Sequence, residues 1–241
     1  MTGKELVENL EKAGYFEYTD KGNLASAKDS IIKHFDSRKE FMTEFNSKPP
    51  YQSHDLRFYS CGDCEELHEE GGVISLINDM QPLLEKISVE LKYADDNYDN
   101  YAHTINVNGN SYLMAYAGAG DWGETFVNFA EMLNAELQIK NSKERLYLML
   151  NDDSYYMICL TDEQYGIIAE NIPAGKMPLT PDEFDTETAE KSNDAINYLK
   201  MHMPDLINSM SNVENPHATA PSKKPTPFSR SLRSWFWWLK R

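Results

Sequence analysis

Nowhere does this chain of 241 residues gather the roughly 18 consecutive apolar residues that a membrane-spanning helix needs. A transmembrane protein is therefore not expected. The opening Met1-Thr-Gly-Lys-Glu-Leu-Val-Glu lacks the apolar run of a secretion signal, so the expected location is the cytoplasm. Cysteine is scarce. Cys61, Cys64 and Cys159 are odd in number, which suits a reducing compartment and argues against a disulfide framework. Basic residues are also few, with 23 Lys and Arg against 39 Asp and Glu and a formal net charge of -16.

That charge is unevenly spread. Lys223, Lys224, Arg230, Arg233, Lys240 and Arg241 lie in a final stretch with no acid. Removing those six leaves 17 basic residues against 39 acidic ones, so the rest of the chain carries -22. A body that negative repels phosphate, which argues against nucleic-acid binding by the body. It favours encounter with a basic protein partner. Acidity also keeps a protein soluble, and that plainer reading stands beside the first.

Catalytic signatures are missing too. There is no Walker sequence, no G-x-S-x-G and no HExxH. His34, His54, His68, His103, His202 and His217 form no metal-binding pair, so no metal, cofactor or catalytic residue is assigned. Carboxylates are too plentiful to single out an acid and base pair.

What is present is enough apolar residue for a core, 41% of the chain. Helices are expected over residues 4–13, from Leu24 to Phe45, and over Glu65–Ile87 with an interruption at Gly71-Gly72. Glu124–Ile139 is expected as a helix because Phe126, Phe129, Ala130, Leu133 and Leu137 follow helical spacing. Leu56–Ser60 reads as a short strand. Tyr101–Tyr116 reads as a hairpin around Asn108-Gly109, and Arg145–Leu150 with Ser154–Leu160 as a second around Asn151-Asp152-Asp153. Thr161-Asp-Glu-Gln164 and Thr180-Pro-Asp-Glu183 are capping boxes that open helices. Helix then runs to about Met210, broken near Ser192–Asp194 and at Pro204.

Strands joined by tight turns are antiparallel. The expected class is α+β, with an antiparallel sheet built from hairpins packed against helices, a helical C-terminal region and a short tail. Residues 1–212 form the acidic body, with a sub-boundary near 172–180. Residues 213–227 contain Pro216, Pro221, Pro225 and Pro227 and form a linker. Residues 228–241 are the cationic, aromatic tail.

Three features could carry a site. Gly118-Ala-Gly120-Asp-Trp-Gly123 matches the G-x-G-x-x-G nucleotide fingerprint and lies between a strand and a helix. Against it, the strand is the second arm of a hairpin, Asp121 would repel phosphate and Trp122 is bulky. Asp152 also lies 29 residues past Gly123 rather than the usual ~20. The plainer reading is a glycine-rich turn before a helix. Cys61-Gly-Asp-Cys64 has thiol-redox spacing after a strand and before a helix. Its acidic neighbours Asp63, Glu65, Glu66, Glu69 and Glu70 favour the neutral thiol. A zinc reading would add His68 and His54, and the plainer reading is two structural cysteines.

The third feature is the tail. Phe228, Leu232, Trp235, Phe236 and Leu239 form one apolar stripe if the segment is helical. Such a segment can lie on an anionic membrane surface, dock in a partner's groove, or fold back on the acidic body.

Phe58-Tyr-Ser-Cys-Gly-Asp-Cys-Glu-Glu-Leu67 with Gly71-Gly72, Asp121-Trp-Gly-Glu-Thr-Phe-Val-Asn-Phe129, and Ser142-Lys-Glu-Arg-Leu-Tyr147 through Leu160-Thr-Asp-Glu-Gln-Tyr165 together resemble uncharacterised bacterial proteins similar to immunity proteins of toxin systems. The resemblance spans about residues 5–170 and transfers no functional residue. It implies a non-enzymatic binding protein, an immunity-type inhibitor of a basic partner protein. The alternatives are a peripheral membrane protein anchored by residues 228–241, and a thiol-redox or nucleotide-binding enzyme.

Overall fold

The structure is a computed structural model that describes residues 1–45, 53–62, 64–98, 102–116, 122–151 and 154–202. Trp122, residues 192–200 and His202 are described by backbone alone. The element order is α1 (Gly3–Lys12), a 3-10 turn (Tyr15–Tyr18), α2 (Leu24–Arg38), β1 (Phe58–Ser60), α3 (Glu65–His68), α4 (Gly72–Lys86) and β2 (Tyr93–Tyr98). There follow β3 (Ala102–Val107), β4 (Asn110–Tyr116), α5 (Trp122–Ile139), β5 (Glu144–Asn151), β6 (Ser154–Thr161), α6 (Asp162–Ala169) and α7 (Pro181–His202). The class is α+β. The hairpins enter two antiparallel three-stranded sheets, ordered β1-β6-β5 and β2-β3-β4.

The first sheet organises the interior. Side chains alternate between the two faces of a strand, yet Leu146 through Met149 and Met157 through Leu160 are all buried. Both faces must therefore be covered. Leu146, Leu148, Met157 and Cys159 meet α3, α4, α5 and the second sheet. Tyr147, Met149, Ile158 and Leu160 meet α1, α2 and α6. One hairpin thus belongs to two apolar cores. Each large side chain buried there contributes about 1.5–3 kcal/mol.

The helices supply the facing stripes. Phe126, Phe129, Ala130, Leu133 and Leu137 are at most 1% exposed, as their spacing requires. Thr161 caps α6 with a reciprocal Gln164 bond. Pro181 opens α7, and the Thr180 hydroxyl accepts from Glu183 N at 3.3 Å. Thr2 and Glu5 form a further capping box on α1.

Two expectations are corrected, one is borne out and one strand is added. The helix from Leu24 stops at Arg38, because Lys39 turns left-handed (φ 54°) and its N–H closes on the Phe35 carbonyl. Phe41 and Phe45 lie outside it. As the Gly71-Gly72 interruption leads one to expect, the stretch from Glu65 divides at Gly71 (φ 83°) into α3 and α4. Helix α7 is continuous through Ser192–Asp194. Strand β2 is an addition. Tyr93-Ala-Asp-Asp-Asn-Tyr98 has no alternating pattern, and it is held by pairing with β3 across a bulge between Ala94 and Asn97.

The described residues fall into two units, one made of those up to 116 together with 122–184, and a second that begins at Asp185. The described part of the second unit is the α7 segment from Asp185 onward. The linker 213–227 and the tail 228–241 lie outside the described residues.

The β3–β4 hairpin turns at Asn108 (φ 52°) and Gly109 (φ 86°), the backbone that an Asn-Gly two-residue turn favours. Val107 pairs with Asn110 across it. A carboxylate locks this turn to α5. Glu136 is fully buried and accepts from Asn108 Nδ2 at 2.7 Å, Asn110 Nδ2 at 3.0 Å and Tyr112 Oη at 2.6 Å. Burial alone would raise its pKa, but the bonds from Tyr112, Asn108 and Asn110 outweigh that and leave it below the ordinary 4.5. A carboxyl depressed in the fold stabilises fully above its unfolded pKa, and that contribution is lost as pH falls through the folded value. Glu136→Gln should therefore cost about 1.5–3 kcal/mol at pH 7 in urea unfolding. The gap to the wild type should narrow as pH falls below the ordinary glutamate value of 4.5. A gap of equal size at pH 7 and at about pH 3 would contradict this role.

Candidate functional site: an acidic cleft beside Cys61

Among the described residues of the first unit, two clusters of titratable groups bear on a site, one closed and one open to solvent. The closed one surrounds Arg57. Its Nε donates to the Tyr15 carbonyl at 2.8 Å and its Nη1 to the Cys159 carbonyl at 3.1 Å. Its guanidinium carbon lies 4.4 Å from the Tyr18 ring centre. The Tyr15 hydroxyl donates to Asp55, and Arg57 N donates to the other oxygen of the same carboxylate at 2.9 Å. Tyr18 Oη donates to Glu144 at 3.0 Å.

Arg57, Asp55 and Cys159 are each 1% exposed and Tyr15 is fully buried. Burial pushes the Asp55 carboxyl up, against the bond from Tyr15 and the Arg57 charge. It pushes the Cys159 thiol up to about 12. A cluster sealed in this way has no route to a substrate. It joins the 3-10 turn, β1 and β6, and its effect is on the fold: removing one partner would leave an uncompensated buried charge.

The open cluster is a cleft of 770 Å³ between the end of β1, the loop after it, α3 and α4. That size lies within the range of ligand-binding pockets. Ser60, Cys61 and Gly62 form one side, and Glu65, Glu66 and Glu69 of α3 and its end another. Ser75 and Asp79 of α4 form the third. Among the described residues no lysine or arginine lines it. Partial burial raises the Asp79 carboxyl above the ordinary aspartate value. Four carboxyl groups around one concavity make a region that attracts cations.

The wall geometry has a local cause. A Cβ on Gly72 would stand 1.9 Å from the Glu66 carbonyl oxygen, so only glycine lets α4 start this close to α3. Leu67 is buried beneath, which turns Glu65, Glu66 and Glu69 outward. His68 Nδ1 lies 2.9 Å from Thr125 Oγ1, tying α3 to α5.

The residues singled out in the sequence fare differently. Cys61 is half-buried and faces the cleft, while Cys64 is fully buried behind it. His54 lies 2.8 Å from Ser26 Oγ and His68 beside Thr125. Among the described residues, no group of three or more His, Cys, Asp or Glu side chains could hold a metal ion. Gly118 and Gly120 lie outside the described residues, and Gly123 is in the first turn of α5. Strands β4 and β5 belong to different antiparallel sheets, so the β-α-β unit that a dinucleotide fingerprint requires is not formed. The tail residues Phe228, Leu232, Trp235, Phe236 and Leu239 lie outside the described residues. Sequence reasoning missed Asp79 and the cleft. The only available signal was Gly72, which allows two helices to approach.

Comparison with known proteins finds no matching family model, no matching curated protein and no matching solved structure.

The close approach at Gly72 gives a test of the cleft's construction. Gly72→Ala should destabilise the protein by about 1–3 kcal/mol in urea unfolding, because α3 or α4 must move. Stability equal to the wild type would show that the helices do not meet this way.

Proposed function

We propose that this chain is a non-enzymatic binding protein for a basic protein partner, acting as an immunity-type inhibitor does by occupying the partner's cationic surface. The observation that carries this reading is the acidic cleft: Glu65, Glu66, Glu69 and Asp79 converge on one concavity with no described base on its lining. The body charge of -22 supplies the long-range attraction, and the cleft supplies a place for a lysine or arginine side chain. The sealed cluster around Arg57 offers no competing reactive site.

A hexalysine peptide is a direct probe, read by calorimetry at about 50 mM and 150 mM salt, concentrations chosen because screening separates the two conditions. Binding should be present at the lower salt and weaken at the higher. Neutralising the cleft with Glu65→Gln, Glu66→Gln, Glu69→Gln and Asp79→Asn should weaken it by at least about tenfold, or 1.4 kcal/mol. Neutralising Glu8, Glu17, Glu163 and Glu170, exposed on the helical layer that covers the other sheet face, should have a much smaller effect. Equal loss from the two sets would show that bulk charge, not the cleft, governs binding.

A further inference from the structure

Cys61 and Gly62 of the motif Cys61-Gly-Asp-Cys64 lie on the wall of the cleft, and the binding role proposed above makes no use of the motif's thiols. Cys64 N donates to the Cys61 carbonyl at 2.8 Å. That bond closes a four-residue turn, which holds its terminal Cα atoms within about 7 Å. A disulfide needs Cα atoms about 4.4–6.8 Å apart. Both ends of the turn are anchored from outside. Cys61 N donates to the Tyr155 carbonyl and Tyr155 N to the Gly62 carbonyl, each at 2.8 Å. Cys64 is the N-cap of α3 and holds a left-handed backbone, φ 67°, a costly conformation for a residue with a Cβ. Of the two thiols, Cys61 is the one that solvent and small molecules reach. Cys64 is fully buried behind it.

We infer that Cys61 and Cys64 form a thiol-modification site that accepts small cationic disulfides and closes into a reversible Cys61–Cys64 bond. Cys61 gives up its proton to solvent and its thiolate attacks one sulfur of the incoming disulfide. That S–S bond breaks, a mixed disulfide forms on Cys61, and the first small thiolate leaves and is protonated. Cys64 then loses its proton and attacks Cys61 Sγ. The intramolecular bond forms and the second small thiol departs. Two protein thiols are oxidised and one small disulfide is reduced to two thiols. The second step is intramolecular, so Cys64 needs no solvent exposure.

The charge of the reagent is set by the cleft. Glu65, Glu66, Glu69 and Asp79 surround the approach to Cys61, which repels an anionic disulfide and concentrates a cationic one. Because Cys61 and Gly62 are themselves part of the wall, the state of the pair also alters the surface that the cleft presents.

Cystamine and oxidised glutathione, one cationic and one anionic, separate these claims when applied to the full chain. The peptide containing both cysteines should lose two hydrogen masses, and Cys61 and Cys64 should become protected from alkylation together. Cystamine should react at least about tenfold faster than oxidised glutathione at low salt, with the ratio falling as salt rises. Cys64→Ser and Cys64→Ala should stop at a stable mixed disulfide on Cys61. Cys61→Ser should give no bridge. A wild-type protein that accumulates the Cys61 mixed disulfide without closing the bridge overturns the pair. Equal rates for the two reagents, independent of salt, overturn the charge selectivity. Neither result depends on whether hexalysine binds.

Discussion

Strand β6 is covered on both faces, and the rest of the first unit depends on that constraint. Met157 and Cys159 belong to one core, and Ile158 and Leu160 to the other. A strand buried on one side can slip by one residue at the cost of exposing a single apolar set. A strand buried on both sides has apolar groups to satisfy in either orientation, so its register must be held by something other than hydrophobicity. The antiparallel pairing with β5, which runs up to Asn151 opposite Ser154, does part of this. The Arg57 cluster does more. Its bond to the Cys159 carbonyl, with the Cys159 N–H donating to the Arg57 carbonyl at 2.9 Å, fixes where β1 meets β6.

Buried polar groups repeat this role elsewhere. Glu136 meets three side chains of the β3–β4 hairpin and so fixes the second sheet on α5. Asn134 bonds both the N–H and the carbonyl of Leu146, at 2.6 Å and 2.9 Å, and fixes β5 on the same helix. Gln164 reaches the Ala13 carbonyl at 3.0 Å and joins α6 to the end of α1. Each of these bonds offsets the desolvation of its own groups, and its larger effect is on which arrangement is unique. Apolar contact would tolerate several packings of helix on sheet, whereas these bonds are satisfied in one.

What could be read from the sequence was local. Asn108-Gly109, the Thr161 and Thr180 capping boxes and the stripe on α5 each depend on residues within one or two turns of chain, and each forms as expected. What could not be read is distant in sequence or carried by backbone. Tyr15 and Asp55 are 40 residues apart, and Arg57 and Cys159 are 102. Phe41 and Phe45 fit a helical period, yet the chain leaves the helix at Lys39, so periodicity overran the true end. Strand β2 has no alternating pattern because β3 holds it by backbone pairing. The acids of the cleft look like an ordinary solvated helix face. Their convergence depends on α3 and α4 touching at Gly72, a tertiary fact that composition does not encode.

The cleft follows from the same architecture. It opens where β1, an edge of the two-faced sheet, ends beside α3 and α4. Strand β6 should therefore be the last element of the first unit to open, since uncovering it requires the loss of both cores. Native-state hydrogen exchange of the β6 amides tests this most directly. Met157 to Leu160 should exchange only through global unfolding, with an opening free energy equal to the total stability from denaturant unfolding. Exchange of those amides at a clearly lower free energy than the global value, or before the amides of α1 and α4, would contradict it.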